Sequence, residues 1–287
     1  MTSPGHLARQ FNVKFKKKLG QNFLSDPSTA KMIVERAGIT ADDTVLEIGP
    51  GFGALTLPAA RAARKLIAVE KDHQVIPVLE HELTAADIRN VTIIHKSILT
   101  LDLRELAAEE DCRLIVIGNL PYNISSQILV QLLSARNAVQ KAILMFQKEL
   151  AQRIVSRESN KDYGRLSVML QYLADIRTVA QIKAHMFTPK PQIDSEVIEI
   201  KFKEEIPFPA VDETFLFQVI KAGFGKRRKN LKNALSASEL LMDPTAITTA
   251  LEEAGIDPTR RAESLTVREF VLLSNCLHTK RSATGQT

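Results

Sequence analysis

The sequence TVLEIGPGFG, residues 44–53, indicates the fold class, because a short apolar strand in it runs directly into a glycine-rich turn. Thr44–Ile48 is largely apolar without strict alternation, which is typical of a strand buried on both faces. Gly49, Gly51 and Gly53 follow, and glycine suits a sharp turn whose backbone must approach a ligand with no Cβ in the way. The N-terminus of the next helix adds oriented N–H groups. The stretch therefore predicts the first strand and the ligand-binding turn of a parallel sheet.

Similar apolar runs recur along the chain. They are separated by segments in which apolar residues lie three or four positions apart, as in amphipathic helices. The later strands are predicted at Leu66–Val69, Val91–Ile94, Leu114–Ile117, Ala142–Phe146, Thr178–Ile182 and Glu196–Phe202. The last run alternates with a period of two, which is typical of a more exposed strand. Alternating strand and helix patterns predict a doubly wound, Rossmann-like α/β sheet.

The C-terminal third has a different composition. Lys203–Asp212 carries two prolines and no helical period, which predicts a linker, and helical spacings follow it. Helix starts are expected at Asp243-Pro244 and Asp257-Pro258, with Asp as the cap and Pro in the first turn. The predicted segments are an N-terminal tail over 1–14, a sheet domain over 15–206, an all-helical domain over 207–279 and a tail over 280–287.

Composition excludes several classes of protein. The chain has 287 residues, of which 45% are hydrophobic and 25% charged, so a packed core is expected. Cys112 and Cys276 cannot form a disulfide framework, so we expect a cytoplasmic protein. No His pairs with carboxylates at ligand spacing, so we expect no metal. No apolar run approaches the roughly 20 residues that span a bilayer. The net charge of +5 favours an anionic partner such as nucleic acid.

The turn and the strand after it predict a nucleoside cofactor. Glu70 ends the second predicted strand, 21 residues after Gly49. A carboxylate there can accept both hydroxyl hydrogens of a ribose. However, Gly49, Gly51 and Ala54 also fit the G-x-G-x-x-G/A dinucleotide fingerprint. The turn alone leaves S-adenosylmethionine and a nicotinamide dinucleotide equally open.

The tetrapeptide Asn119-Leu120-Pro121-Tyr122 follows the fourth predicted strand and should face the same crevice. The Asn119 side-chain oxygen and the Leu120 carbonyl can accept the two N–H bonds of an adenine amine. Pro121 stiffens the turn. Tyr122 offers a face for the base to stack on, worth roughly 1–3 kcal/mol per base. These residue types can bind an exocyclic amine attached to a flat ring, and no strong general base is required.

Four motifs together resemble the rRNA adenine N6-dimethyltransferases. They are KLGQNFL at 18–24, EIGPG at 47–51, NLPYNIS at 119–125 and FTPKPQIDS at 187–195, in family order and at family-like spacings. The resemblance runs from about residue 17 to about residue 278. It implies transfer of two methyl groups from S-adenosylmethionine to each of two adjacent adenosines near the 3′ end of small-subunit rRNA. The substrate is expected to be an immature 30S particle, and the enzyme a monomer.

The resemblance also assigns site residues. Cofactor contacts are expected at Gln21, Asn22, Leu24, Gly49, Gly51, Glu70, Ser97 and Asn119. The base is expected to be held by Asn119, Leu120, Pro121 and Tyr122, with Phe187 as a second aromatic wall. Phe187 can instead anchor a loop in the core, and that alternative stays open. The family usually has Asp where Ser97 stands, so weaker recognition of the cofactor's adenine is expected here.

Two basic runs predict contacts with phosphates of single-stranded or looped RNA. They consist of Lys14, Lys16, Lys17 and Lys18, and of Lys226, Arg227, Arg228, Lys229 and Lys232. Three alternatives remain at this point. They are a large-subunit adenine methyltransferase, an assembly factor that binds rRNA with methylation incidental, and a nicotinamide oxidoreductase.

Overall fold

The structure, a computed structural model, describes residues 2–16, 20–226 and 228–283. The chain forms two compact units. The first contains Met1–Ala151 and Ile176–Phe202, and the second contains Gln152–Asp175 and Lys203–Thr287. Among the described residues, no helix combines the length and the apolar character needed to cross a membrane.

A seven-stranded sheet organises the first unit, with strand order β4-β3-β2-β5-β6-β9-β7. Strands β2 to β6 pair in parallel, and β9 is antiparallel to β6. A separate antiparallel pair is formed by β1 and β8. The strands are β1 (Phe23–Leu24), β2 (Thr44–Ile48), β3 (Lys65–Glu70), β4 (Val91–His95), β5 (Leu114–Asn119), β6 (Val139–Gln147), β7 (Ala174–Ile182), β8 (Phe187–Thr188) and β9 (Ser195–Phe202).

All seven strands predicted from the sequence are present, and the doubly wound α/β fold is confirmed. Every residue of β2 is buried, as expected for a central strand covered by helices. The exposure expected of Glu196–Phe202 is wrong, because β9 lies inside the sheet and Glu196 is buried. Burial raises the pKa of the Glu196 carboxyl.

The helices of the first unit lie before and between its strands along the chain. They are α1 (Pro4–Gln10), α2 (Pro27–Ala37), α3 (Thr56–Ala62), α4 (Ile76–Ala85), α5 (Leu103–Glu109) and α6 (Ser125–Ser134). Helix α7 (Lys148–Val155) runs from the first unit into the second. The second unit contains α8 (Arg165–Leu173), α9 (Glu213–Gly223), α10 (Leu231–Ser236), α11 (Pro244–Glu253) and α12 (Val267–Ala283).

The N-terminal residues are not a tail. Ser3 caps α1 by accepting a hydrogen bond from the His6 N–H, and Leu7 is buried in a cluster with Phe52, Val75 and Val78. A helix of seven residues shows too few apolar positions for its period to be recognised in the sequence. Helix α1 therefore packs beside the glycine turn, since Phe52 belongs to that turn.

Further differences concern the helical unit. Gln152–Asp175, which the sequence analysis gave to the sheet domain, clusters with the C-terminal helices, and α12 continues to Ala283. Asp243 caps α11 as predicted. Asp257 accepts hydrogen bonds from the Thr259 N–H and hydroxyl, but the chain forms only a single turn, closed by the Arg260 N–H and the Asp257 carbonyl, and no helix starts there.

Candidate active site

A cavity lies where β2, β3 and β5 end, at the edge of the sheet where open α/β folds bind ligands. The structure brings all eight predicted cofactor residues to its lining: Gln21, Asn22, Leu24, Gly49, Gly51, Glu70, Ser97 and Asn119. Pro121 lines it as well, whereas Leu120, Tyr122 and Phe187 do not. The glycine turn therefore shares one cavity with the loop after β5, Asn119-Leu120-Pro121-Tyr122, which we call the acceptor loop.

The glycines of the turn serve different purposes. Gly49 and Gly51 both have positive φ angles, +69° and +55°. The Gly49 N–H donates to the Val69 carbonyl, and a Cβ on Gly49 would meet open space, so the absence of a side chain leaves room for a ligand there. A Cβ on Gly51 would lie 2.8 Å from the ring of Phe23, which stacks on Phe52 with ring centroids 4.3 Å apart. Gly51 is thus required by protein packing as well as by the turn.

Glu70 is held at the end of β3 by backbone donors. Its Oε2 accepts from the Gly51 N–H at 3.3 Å and its Oε1 from the Asp72 N–H at 2.8 Å. Burial raises the pKa of this carboxyl, and the backbone donors oppose the shift in part. The carboxylate is therefore fixed in orientation at the cavity wall, which suits recognition of a pair of hydroxyl groups.

Glu47 also belongs to the site, although no role was predicted for it from the sequence. It is 1% exposed, it lines the cavity, and its Oε2 has no hydrogen-bond partner among the described residues. Burial raises the pKa of Glu47 to about 8; the Thr56 hydroxyl opposes the shift and the Glu70 charge adds to it. The available signal was an acidic residue inside an otherwise buried strand.

The amide of Asn119 is oriented by the N-terminal segment. Its Nδ2 donates to the backbone carbonyl of Asn22 at 2.6 Å, so Oδ1 is the end that remains to accept a hydrogen bond from a ligand. Gly20, at φ +64°, packs on the acceptor loop, where a Cβ would lie 3.3 Å from the Tyr122 nitrogen. Leu120 is buried, and its N–H donates to the Met145 carbonyl.

Gly118 is a second residue that the sequence analysis missed. A Cβ there would lie 2.7 Å from the Ile48 carbonyl oxygen, closer than such contacts allow. The glycine therefore lets β5 approach the end of β2 and brings Asn119 next to the glycine turn. An isolated Gly at the end of a strand was the available signal, since it marks a close backbone approach.

The two predicted aromatic residues differ. The Tyr122 hydroxyl lies 3.0 Å from Ser195 Oγ, and burial raises the pKa of the phenol, so it stays protonated. Phe187 is 3% exposed and pairs with Leu24 in the β1–β8 ladder. Its ring belongs to the core cluster of the first unit, as the loop-anchor alternative had it, and it does not form an exposed second wall.

The basic runs are only partly described. Lys17, Lys18 and Arg227 lie outside the described residues. The Lys16 ammonium pairs with Asp72 at 2.7 Å, so it is engaged within the protein. In the second unit the side chains of Lys226, Arg228 and Lys229 are exposed, and that of Lys232 is half-buried. Within the described ranges, no cluster of three His, Cys, Asp or Glu side chains is arranged for a metal ion.

The sequence is similar to known proteins over almost its whole length. The family model described as ribosomal RNA adenine dimethylase matches residues 12–279. The ribosomal RNA small subunit methyltransferase A of Desulforapulum autotrophicum is 51% identical over 277 residues, covering 96% of this chain and 97% of the relative. The protein of the same name from Geobacillus thermodenitrificans is 39% identical, again covering 96% and 97%.

Two solved structures share the fold across both units. A dimethyladenosine transferase from Plasmodium falciparum superimposes with a TM-score of 0.76 at 22% identity, covering 92% of this chain and 98% of that one. The 23S rRNA methyltransferase ErmE gives a TM-score of 0.69 at 25% identity, covering 90% and 100%. The first likeness concerns the fold alone.

Proposed function

Because the chain belongs to the ribosomal RNA adenine dimethylase family, we propose that it dimethylates N6 of two adjacent adenosines near the 3′ end of small-subunit rRNA. The observation that carries the proposal is the Asn119 amide, which lines the same cavity as Gly49 and Glu70. A side chain that can accept hydrogen bonds from an amine thus lies in the cavity that is predicted to bind a nucleoside. The small-subunit substrate follows the names of the relatives.

The cavity fits S-adenosylmethionine. Glu70 offers an oriented carboxylate to ribose hydroxyls, and Gly49 leaves open space for a ligand where a side chain would lie. Glu47 adds a buried carboxyl whose Oε2 has no partner among the described residues, so it is available to hydrogen-bond a ligand. Ser97 and Ile98 line the end of the cavity after β4, where the adenine would lie. When bound, the cofactor supplies an electrophilic methyl group on a sulfonium.

The acceptor loop supplies orientation and no strong base. The Asn119 Oδ1 and the Leu120 carbonyl accept the two hydrogens of the adenine amine, which withdraws its lone pair from the ring and directs it outward. Tyr122 supports the base through its ring, which Ser195 holds in place. Pro121 lines the cavity and keeps the loop rigid.

The RNA has to present an unstacked base, because the amine of a paired adenine cannot reach this cavity. We place its phosphate contacts on the exposed Lys226, Arg228 and Lys229 of the second unit. An immature 30S particle in the cytoplasm is the proposed substrate, with the enzyme acting as a monomer. Binding should weaken steeply with salt in proportion to the phosphates contacted.

The test is transfer of tritiated methyl groups from S-adenosylmethionine to particles that lack the modification. Separated immature 30S and 50S particles are the two substrates, and the product is identified as N6,N6-dimethyladenosine by mass spectrometry. We expect label in the small subunit only. Label in 50S particles would support the large-subunit alternative, to which the ErmE likeness points. Absence of transfer to any RNA refutes the proposal.

An assembly factor without need of catalysis is the second candidate, and Asn119→Ala separates the two. This substitution removes the amine acceptor and leaves the second unit unchanged. We expect methyl transfer to fall by about a hundredfold or more while RNA binding is retained. Full restoration of 30S assembly in cells by Asn119→Ala would assign the assembly role to binding alone.

A further inference from the structure

Hydrogen bonds join an N-terminal segment, consisting of Lys16 and residues 20–22, to the loop after β3, and the buried side chain of Asp72 is their centre. The Asp72 side chain is inaccessible to solvent. Its Oδ1 accepts from Lys16 Nζ at 2.7 Å and its Oδ2 accepts from Gln21 Nε2 at 2.8 Å. The Gln21 Oε1 accepts from the backbone N–H of Lys16 at 2.7 Å. Both carboxylate oxygens therefore hold this segment, and a buried carboxylate depends on such partners.

The same segment contacts the acceptor loop. The Asn22 carbonyl accepts from Asn119 Nδ2, and Gly20 packs against the backbone of Tyr122. An amide turned by half a rotation would present its NH2 group, rather than Oδ1, to the adenine amine. The Asn22 carbonyl selects the productive orientation, so the segment has to stay docked for Asn119 to act.

Asp72 also contacts the cofactor side of the cavity. Its backbone N–H donates to Glu70 Oε1 at 2.8 Å. One residue thus braces the carboxylate proposed to bind ribose, and through its side chain braces the segment that orients the amine acceptor.

We propose that Asp72 is a positioning residue for methyl transfer, which docks this N-terminal segment through Lys16 and Gln21 so that Asn22 orients the Asn119 amide. The inference rests on the proposed transfer to N6 at Asn119. It gives Gln21 a supporting role, because its Nε2 donates to Asp72 and its Oε1 accepts from the Lys16 N–H.

The first test is Asp72→Asn, which keeps the size of the side chain but loses its charge and one acceptor. We expect kcat at saturating S-adenosylmethionine and RNA to fall about tenfold or more, since small misplacements of reacting groups are costly. The KM for RNA should stay near the wild-type value, as should the circular dichroism spectrum. Unchanged kcat, or a lowered melting temperature with unchanged kcat, overturns the proposal.

Gln21→Leu removes the same contact from the other side and serves if Asp72→Asn does not fold. It should lower kcat in the same way, and the double variant should lose little more than the worse single variant. Effects that multiply would mean that the two residues act separately, which also overturns the proposal.

Glu110→Gln is the matched control. It breaks the ion pair between Lys65 Nζ and Glu110 Oε1, which are 2.6 Å apart, and Lys65 is about as exposed as Lys16. This pair lies at the opposite end of β3. We expect wild-type kcat from this variant, and a loss equal to that of Asp72→Asn would contradict the assignment. A wild-type protein that methylates no RNA refutes the proposed function instead, so the two failures are distinguishable.

Discussion

The phenol of Tyr122 and the hydroxyl of Ser195 lie 3.0 Å apart, which ties the acceptor loop after β5 to the first residue of β9. Ser195 is fully buried, and the ring of Tyr122 is held from its hydroxyl end. The loop is therefore fixed from two directions, by Ser195 at its tyrosine and by Asn22 at its asparagine.

Removing the Tyr122–Ser195 hydrogen bond should loosen the loop without opening the cofactor site. We expect Ser195→Ala and Tyr122→Phe each to lower the free energy of unfolding by about 1 kcal/mol. The double variant should lose little more than either single variant, because both remove the same bond. Urea unfolding of all three variants measures this, and additive losses would show that the two hydroxyls act independently.

The aromatic face of Tyr122, rather than its hydroxyl, should support the base. We expect Tyr122→Ala to lower kcat/KM for RNA by a stacking energy of roughly 1–3 kcal/mol, whereas Tyr122→Phe, which keeps the ring and loses only its bond to Ser195, should lose clearly less. Binding of S-adenosylmethionine, measured by calorimetry, should be the same in both variants because Tyr122 does not line the cavity. Equal losses in the two variants would contradict a stacking role.

Ser97 gives a prediction on cofactor affinity. A carboxylate at this position accepts a hydrogen bond from an adenine amine more strongly than a hydroxyl does. We therefore expect Ser97→Asp to tighten binding of S-adenosylmethionine by calorimetry and to leave methyl transfer intact. Ser97→Ala, which offers no acceptor, should bind more weakly than wild type. Looser binding by Ser97→Asp would mean that Ser97 is wrongly placed at the adenine.

The close approach of β5 to β2 depends on Gly118. An added Cβ would meet the Ile48 carbonyl, which is backbone and cannot rotate away. We expect Gly118→Ala to lower the free energy of unfolding by about 1–3 kcal/mol and to displace Asn119. Gly5→Ala is the control, since Gly5 lies in α1 with open space around it. Urea unfolding and methyl transfer together check the prediction, and a Gly118→Ala variant as stable and active as wild type would contradict it.

The strands and the cavity were predictable from the sequence because their signals are local. Buried parallel strands such as Thr44–Ile48 are continuous apolar runs, and the carboxyl ends of such strands meet at one edge. The supports of the site were not predictable. Asp72 contacts Lys16 and Gln21, which lie 56 and 51 residues away in the sequence, and no local pattern predicts such pairs. The core position of Phe187 follows from a ladder of only two residues.

The buried Glu47 gives a prediction on pH. Its pKa in the folded protein is raised from an ordinary 4.5 to about 8, so folding favours the protonated acid. This contribution to stability is fully present below the unfolded pKa and is lost as the pH rises through 8. The Glu70 charge acts in the same direction on the pKa of Glu47, because its repulsion disfavours a second carboxylate.

Glu47→Gln mimics the protonated acid at every pH. We therefore expect wild type to lose stability relative to Glu47→Gln as the pH rises from 5 to 8.5, measured as the difference between their free energies of unfolding. Urea unfolding of the cofactor-free proteins measures it, and Glu35→Gln, which removes an exposed carboxyl from α2, corrects for the loss of one charge. A difference that stays constant across this range would show that Glu47 is ionised in the folded protein throughout, and that its unpartnered oxygen is solvated.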